Sequence, residues 1–299
     1  MKKSAIVRRA TQLAQRYRID DGEGFVLKSV DPADTHGMTD REEAEQLLEE
    51  TKRVMAELQD KLYAQDQRAL LLIFQAMDAA GKDGTIKHVM SGINPTGCQV
   101  VSFKAPSDEE LGHDYLWRCA RNLPERGRIG IFNRSYYEEV LTVRVHPDLL
   151  AAQHLPSELR QDKHLWRHRL EDIANFERYL SRNGVVVRKF FLHLSRGEQR
   201  KRFLSRLDEP EKNWKFAPSD VRDRRFFGDY LRCYQEAIRA TATEHAPWFV
   251  VPADHKWFTR LVVSSAIIEA LAELKLDYPT VSPSTRRKLA AARKDLLAE

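Results

Sequence analysis

The sequence predicts an α/β fold built on a mostly parallel, five-stranded sheet with helices on both faces. Two patterns carry that expectation. Five apolar runs, "ALLLIFQA" (69–76), "CQVVSFK" (98–104), "RIGIFN" (128–133), "VVVRKFFLHL" (185–194) and "PWFVVPA" (247–253), lack clean two-residue alternation. They therefore read as strands covered on both sides. Segments with helical spacing lie between them, at 83–92, 107–122, 157–182 and 219–245. Strand–helix–strand alternation of this kind gives parallel pairing.

Residues 1–38 are mixed in character and carry no clear period. From there Thr39 and Glu42 form a capping box, and Leu47, Val54, Leu58 and Leu62 follow near helical spacing, so a helix is expected over about 40–66. Lys256 to Leu274 reads as a closing helix that stops before Pro279. The tail from Pro283, "PSTRRKLAAARKDLLAE", is either a short exposed helix or disordered, and no internal repeat is present.

With 299 residues, 42% hydrophobic and 31% charged, the chain has the composition of a globular protein with a sizeable core. No apolar run reaches the roughly 18–20 residues needed to span a bilayer. The charged start, "MKKSAIVRRATQLAQRYRID", lacks the apolar stretch of a secretory signal. Cys98, Cys119 and Cys233 are too scattered for a disulfide framework or zinc site, which points to a reducing cytoplasm. His88, His113 and His193 show no metal-ligand spacing.

The stretch "IFQAMDAAGKDGTIKHV" departs from the phosphate-binding pattern G-x-x-x-x-G-K-[ST] at two positions: Ala76 stands where glycine is usual, and Asp83 where a hydroxyl is usual. Its context still favours a phosphate site. A buried strand ends at Gln75, a glycine-containing turn follows, and a helix starts near Lys82, so free N–H groups and the helix dipole face the turn. Ala80, Gly81, Lys82, Asp83, Gly84 and Thr85 are the candidate phosphate cradle. Losing the hydroxyl removes the usual magnesium ligand, while Asp78 supplies a carboxylate of the kind magnesium accepts. The metal site is expected to be moved rather than lost.

A second cluster follows the third strand, where open α/β sheets bind ligands. Asn133, Arg134, Glu138 and Glu139 offer a cation for phosphate and carboxylates for metal; Tyr136 and Tyr137 are expected to pack. Between Arg196 and Arg206 five cations face one acid, Glu198, and helical spacing puts Arg202 and Arg206 on one side. Such a face suits a polyanion, with Lys87, Lys212 and Lys215 extending the track.

The stretches "DAAGKDGTIKHV", "FKAPSDEELGHDYLWR", "FNRSYYEEVLTVRVH", "KFFLHLSRGEQRKRFLSRLDEPEKNWKF" and "APWFVVPADHKWFTRLVV" together resemble, in the same order over roughly residues 40–275, the second family of polyphosphate kinases. The resemblance implies a three-layer P-loop kinase-like fold with a helical lid. It implies an N-terminal helical extension over 1–66, a catalytic domain over 67–275 with the lid at about 196–228, and a basic tail over 276–299. It further implies magnesium (or manganese), inorganic polyphosphate as donor, AMP, ADP and ATP as nucleotides, and a homo-oligomer, dimer or tetramer, without nucleic-acid or membrane partners.

By position, the resemblance makes Asp78 and Lys82 the catalytic acid and phosphate-gripping lysine, with Asn133, Arg134 and Glu138 opposite; Asp78 and Glu138 are the implied metal ligands. The lid cations Arg202 and Arg206, with Arg200 and Lys201 as neighbours, would close on the phosphate chain. Phe103, Lys104 and Arg118 stand where related kinases hold the acceptor, although a core role for Phe103 is as good a reading. Family members acting mainly on diphosphates carry Asp-Arg-Ser-Trp-Tyr-Asn at the second motif; here Asn133 and Glu138 exchange the amide and the acid, resembling the subgroup that phosphorylates both AMP and ADP. The alternatives are an ATP-dependent nucleoside monophosphate kinase and a non-catalytic polyanion-binding protein.

Overall fold

The computed structural model describes residues 2–298. Its strands are β1 (Arg18–Ile19), β2 (Ala69–Ala76), β3 (Cys98–Ser102), β4 (Ile129–Asn133), β5 (Val185–His193) and β6 (Trp248–Pro252). Its longer helices are α1 (Lys3–Gln15), α2 (Arg41–Gln65), α3 (Lys82–Val89), α4 (Leu165–Arg182), α5 (Arg196–Asp208), α6 (Phe227–Thr241), α7 (Lys256–Glu273) and α8 (Pro283–Leu296). None is long and apolar enough to cross a membrane.

The sheet has the order β1-β6-β5-β2-β4-β3, parallel except for β1. Five strands match the apolar runs. The sixth, β1, corrects the expected count: two residues are too short to show a period, and β1 is held antiparallel to β6 partly by Arg18, whose guanidinium lies 3.1 Å from the Glu269 carboxylate. Alternate strand residues serve two cores. Leu70, Leu72, Phe74, Phe190 and Val251 face α1, α2, α3 and α7; Leu71, Ile73, Phe132, Phe191 and Val250 face α4 and α6. Covering both faces removes the polar positions that would have marked alternation.

Local capping explains where several helices differ from expectation. Asp40, not Thr39, caps α2, accepting from the N–H groups of Glu42 at 2.8 Å and Glu43 at 3.3 Å. The expected helix at 107–122 is two single turns, Asp108–Leu111 and Trp117–Ala120, the first opened by the Ser107–Glu110 capping box. That at 157–182 splits into Ser157–Arg160 and α4, and that at 219–245 into short turns from Pro218 followed by α6. The tail forms α8, none of whose residues is buried.

Among the described residues the most deeply buried charged pair joins α4 to β5. Lys189 on β5 and Glu177 on α4 are 0% and 1% exposed, with Nζ 2.5 Å from the carboxylate. Tyr136 and Tyr137 also donate to Glu177, at 3.0 and 2.8 Å, and Lys189 donates to the Thr241 carbonyl at 2.7 Å. Burial pushes Glu177 up and Lys189 down from their ordinary values, each partner opposing the shift. The two tyrosines are thereby anchored behind the segment that carries Arg134 and Glu138. Removing one charge of a buried pair costs about 3–5 kcal/mol, whereas an apolar replacement of both is often neutral. Glu177→Leu alone is therefore expected to lower stability in urea unfolding by about that amount, and Glu177→Leu with Lys189→Met to recover most of it.

Candidate active site

The C-terminal ends of β2, β4, β5 and β6 lie along one edge, and after β4 the chain crosses to the other side of β2. Ligands bind at such a switch. The turn after β2 holds Ala79 at φ +65° and Gly81 at φ +93°, both in the left-handed region, before α3 begins at Lys82. A side chain at 81 would be strained there.

The turn is clamped from α5. Arg202, 8% exposed, donates to the carbonyls of Ala79 and Ala80 at 3.1 and 2.9 Å and to those of Ala253 and Asp254 at 2.7 and 3.0 Å. Its Nε donates to Glu198 at 2.9 Å. Beside it Gln199 donates to the Asp78 carbonyl at 3.1 Å. This differs from the expected role for Arg202 as a lid cation on the phosphate chain: four carbonyls occupy a guanidinium that helical spacing alone placed on an open face. Arg202 is a positioning residue.

Asp78, Lys82, Asn133, Arg134 and Glu138 come together. Arg134 has φ +66°, and its N–H donates to Phe74 O at 3.0 Å. A non-glycine residue in this region is uncommon and concentrates at functional sites. The guanidinium lies 3.5 Å from Asp78 and is held charged chiefly by Glu138. Glu138 accepts from Gln75 at 2.9 Å and Thr142 at 2.7 Å. Lys82 donates to Asn133 Oδ1, and Asn133 Nδ2 donates to Asp83 at 2.9 Å and Ser102 at 3.2 Å. Burial pulls the Lys82 ammonium down from its ordinary range, with Asp83 opposing. For Asp83 burial works upward, but the Asn133 hydrogen bond and the Lys82 charge win and hold it low.

A cavity of about 100 Å³ opens among Asp78, Arg134, Glu138, Asp220, Asp223 and Arg224. The last three went unnoticed in the sequence because they lie in the irregular 218–226 stretch, where no period marks a face. Gln75 carried a signal, as the polar end of an apolar strand. Asp78 is raised above the usual carboxylate range by burial, with Asp220 and Glu138 adding to the rise and Arg134 opposing it.

Other expected residues are placed as follows. Arg206 lies 3.4 Å from Asp220. Arg200, Lys201 and Lys87 are exposed. Arg224, on the cavity wall, is shifted down by burial and then by the Arg196 and Arg200 charges. Phe103 is buried edge-to-face on Phe132, 4.9 Å between centroids, rather than free to stack a base. Arg118, also buried, donates to the Lys104 carbonyl at 2.9 Å and meets Glu110 at 3.5 Å; Lys104 itself is exposed. A separate cavity of about 480 Å³ lies beyond Arg118 and Glu139.

The family model for polyphosphate kinase 2 matches residues 38–279. The chain belongs to the polyphosphate kinase 2 family. It is 50% identical over 287 residues to an ADP-polyphosphate phosphotransferase of Rhodopseudomonas palustris, covering 95% of this chain and 98% of that one. It is 43% identical over 266 residues to an AMP/ADP-polyphosphate phosphotransferase of Meiothermus ruber, covering 89% and 95%. The crystal structure of polyphosphate kinase 2 from Arthrobacter aurescens superposes with a TM-score of 0.84 at 39% identity, covering 94% of this chain and 96% of that one.

In this family member the acidic crowd at Asp78 has a measurable consequence. A carboxyl group whose folded value is raised binds its proton more tightly when folded, so ionising it at neutral pH costs stability, and that cost disappears as pH falls below the unfolded value. Asp78→Asn is expected to unfold at a slightly higher temperature than wild type at pH 7 and to lose that advantage near pH 4, by calorimetry at the two pH values.

Proposed function

We propose that the chain transfers the terminal phosphoryl group of inorganic polyphosphate, reversibly, to AMP to give ADP and to ADP to give ATP. The observation that carries this reading is the placing of Lys82 and Arg134 around two carboxylates, Asp78 and Glu138, with Arg224 on the cavity wall and the Arg196 and Arg200 charges acting on it. Unshielded guanidiniums in mutual repulsion favour a ligand with many closely spaced negative charges.

The acceptor oxygen belongs to a phosphate whose second pKa is about 6, so it arrives ionised near neutral pH and needs no strong general base. The site has to align two anions and offset their repulsion. Lys82, at the start of α3, and Arg134, held rigid by its backbone, neutralise the transferring group. Asp78 and Glu138 fit a hard divalent cation such as magnesium or manganese. Both are oxygen donors that crowd each other, and one or two carboxylates with substrate phosphates are the usual magnesium set. Among the described residues no three His, Cys, Asp or Glu side chains are arranged to hold a metal unaided, which suits an ion that arrives with phosphate. When bound, that ion would neutralise phosphate oxygens. The acceptor nucleotide is assigned to the side of Lys104 and Arg118, with Phe103 supporting the wall rather than stacking.

Three free cysteines and charged surfaces agree with a cytoplasmic enzyme. The alternatives expected from the sequence were an ATP-dependent monophosphate kinase and a non-catalytic polyanion binder. ATP formation from ADP, polyphosphate and magnesium, read by luciferase, separates them: ATP-to-AMP transfer without it supports the first, and no transfer the second.

Lys82→Ala is expected to lower kcat by roughly 10²–10³-fold, the usual cost of removing a transition-state charge contact, with circular dichroism unchanged. Arg200→Ala with Arg224→Ala should raise KM for long polyphosphate more than for short chains and flatten its dependence on salt. Exchanging Asn133→Asp and Glu138→Asn should reduce kcat/KM for AMP relative to ADP; an unchanged ratio removes the acceptor assignment.

A further inference from the structure

Gln75 ends an apolar row. Leu71 and Ile73 precede it on the face of β2 that turns toward α4 and α6, and all three are 0% exposed. Side chains two apart along a strand share a face, so an apolar residue would fit the third place in this row. A buried amide costs stability unless its groups are paired. Here only one end is. Nε2 donates to Glu138 at 2.9 Å, while Oε1 has no partner among the described residues. An ionised carboxylate accepts and does not donate, which fixes the amide with its nitrogen toward Glu138.

The second Glu138 oxygen is held too. The Thr142 hydroxyl donates to Glu138 Oε2 at 2.7 Å, whereas Gln75 donates to Oε1. The two donors stand on different elements, a core strand and the short helix Thr142–Val145. One donor would leave the carboxylate free to turn about it; two, on separate oxygens, fix its plane as well as its place. Glu138 itself sits in a single turn, Tyr136–Glu139, at the end of a long, rotatable side chain.

We propose, on the phosphoryl-transfer reading of this cavity, that Gln75 and Thr142 are positioning residues that act through Glu138. They hold its carboxylate in one orientation toward the space it shares with Asp78 and Arg134. A strand selected for stability alone would carry an apolar side chain at 75; the amide with its unpaired carbonyl is the kind of local cost that active sites tolerate.

That cost makes the test specific. Gln75→Leu removes the donor and the unpaired carbonyl together. It is expected to melt no lower than wild type, while kcat for ATP formation from ADP and polyphosphate falls about 10–100-fold, the usual effect of losing a group that orients a site residue, and KM for polyphosphate changes much less. Thr142→Val should lose kcat in the same way, and Thr142→Ser, which keeps the hydroxyl, should recover most of it. In a Glu138→Ala background Gln75→Leu should cost little more, because groups that act through one residue are not additive. A Gln75→Leu protein that melts below wild type or keeps its kcat, a Thr142→Ser protein as slow as Thr142→Val, or a full further loss in the Glu138→Ala background overturns the proposal. A slow Glu138→Ala beside a fast Gln75→Leu overturns it alone; a Glu138→Ala protein with wild-type kcat overturns the reading of the cavity as well.

Discussion

The Arg202 guanidinium holds together the parts of the molecule on which the site depends. It joins two strand-to-helix connections, after β2 and after β6, to the helix α5 that carries it, through four main-chain carbonyls. Carbonyls in tight turns have few partners of their own, and an unpaired buried acceptor is costly. One planar fork with five donors meets that need. The left-handed conformation of Ala79, costly for a residue with a side chain, persists because the turn is held from outside, and α5 begins already fastened to the turn after β2.

A second constraint is electrostatic. Burial raises Asp78, and Glu138 and Asp220, gathered with it around Arg134, add to the rise. A folded chain tolerates such crowding where a ligand relieves it. The buried Glu177–Lys189 pair, by contrast, is complete in itself: two tyrosine hydroxyls and a carbonyl finish its hydrogen bonding. It anchors Tyr136 and Tyr137, and through them the segment that presents Arg134 and Glu138. The molecule therefore separates a closed polar network behind the sheet edge from a charge-crowded one in front of it.

Much of the fold was legible. The five parallel strands were visible as apolar runs because burial on both faces leaves no room for polar residues. That Asp78, Lys82, Asn133, Arg134 and Glu138 would lie together was legible because polar residues directly after buried parallel strands meet at one edge of the sheet. Residues 218–226 were not, since Asp220, Asp223 and Arg224 reach the cavity from single turns without a period. Arg202 was misread for a related reason: spacing reports which residues share a helix face, not what lies opposite.

The sequence by itself determined the layering of the sheet, the strand–turn–helix around Asp78 and Lys82 and the family, because these depend on burial and local order along the chain. Tertiary structure alone decided which cation grips the turn after β2, that Phe103 is buried against Phe132, and that two residues near the N-terminus close one sheet edge while β3 lies at the other. Those choices depend on partners distant in the sequence, such as Arg202 and Ala79, and no local pattern encodes the distance between them.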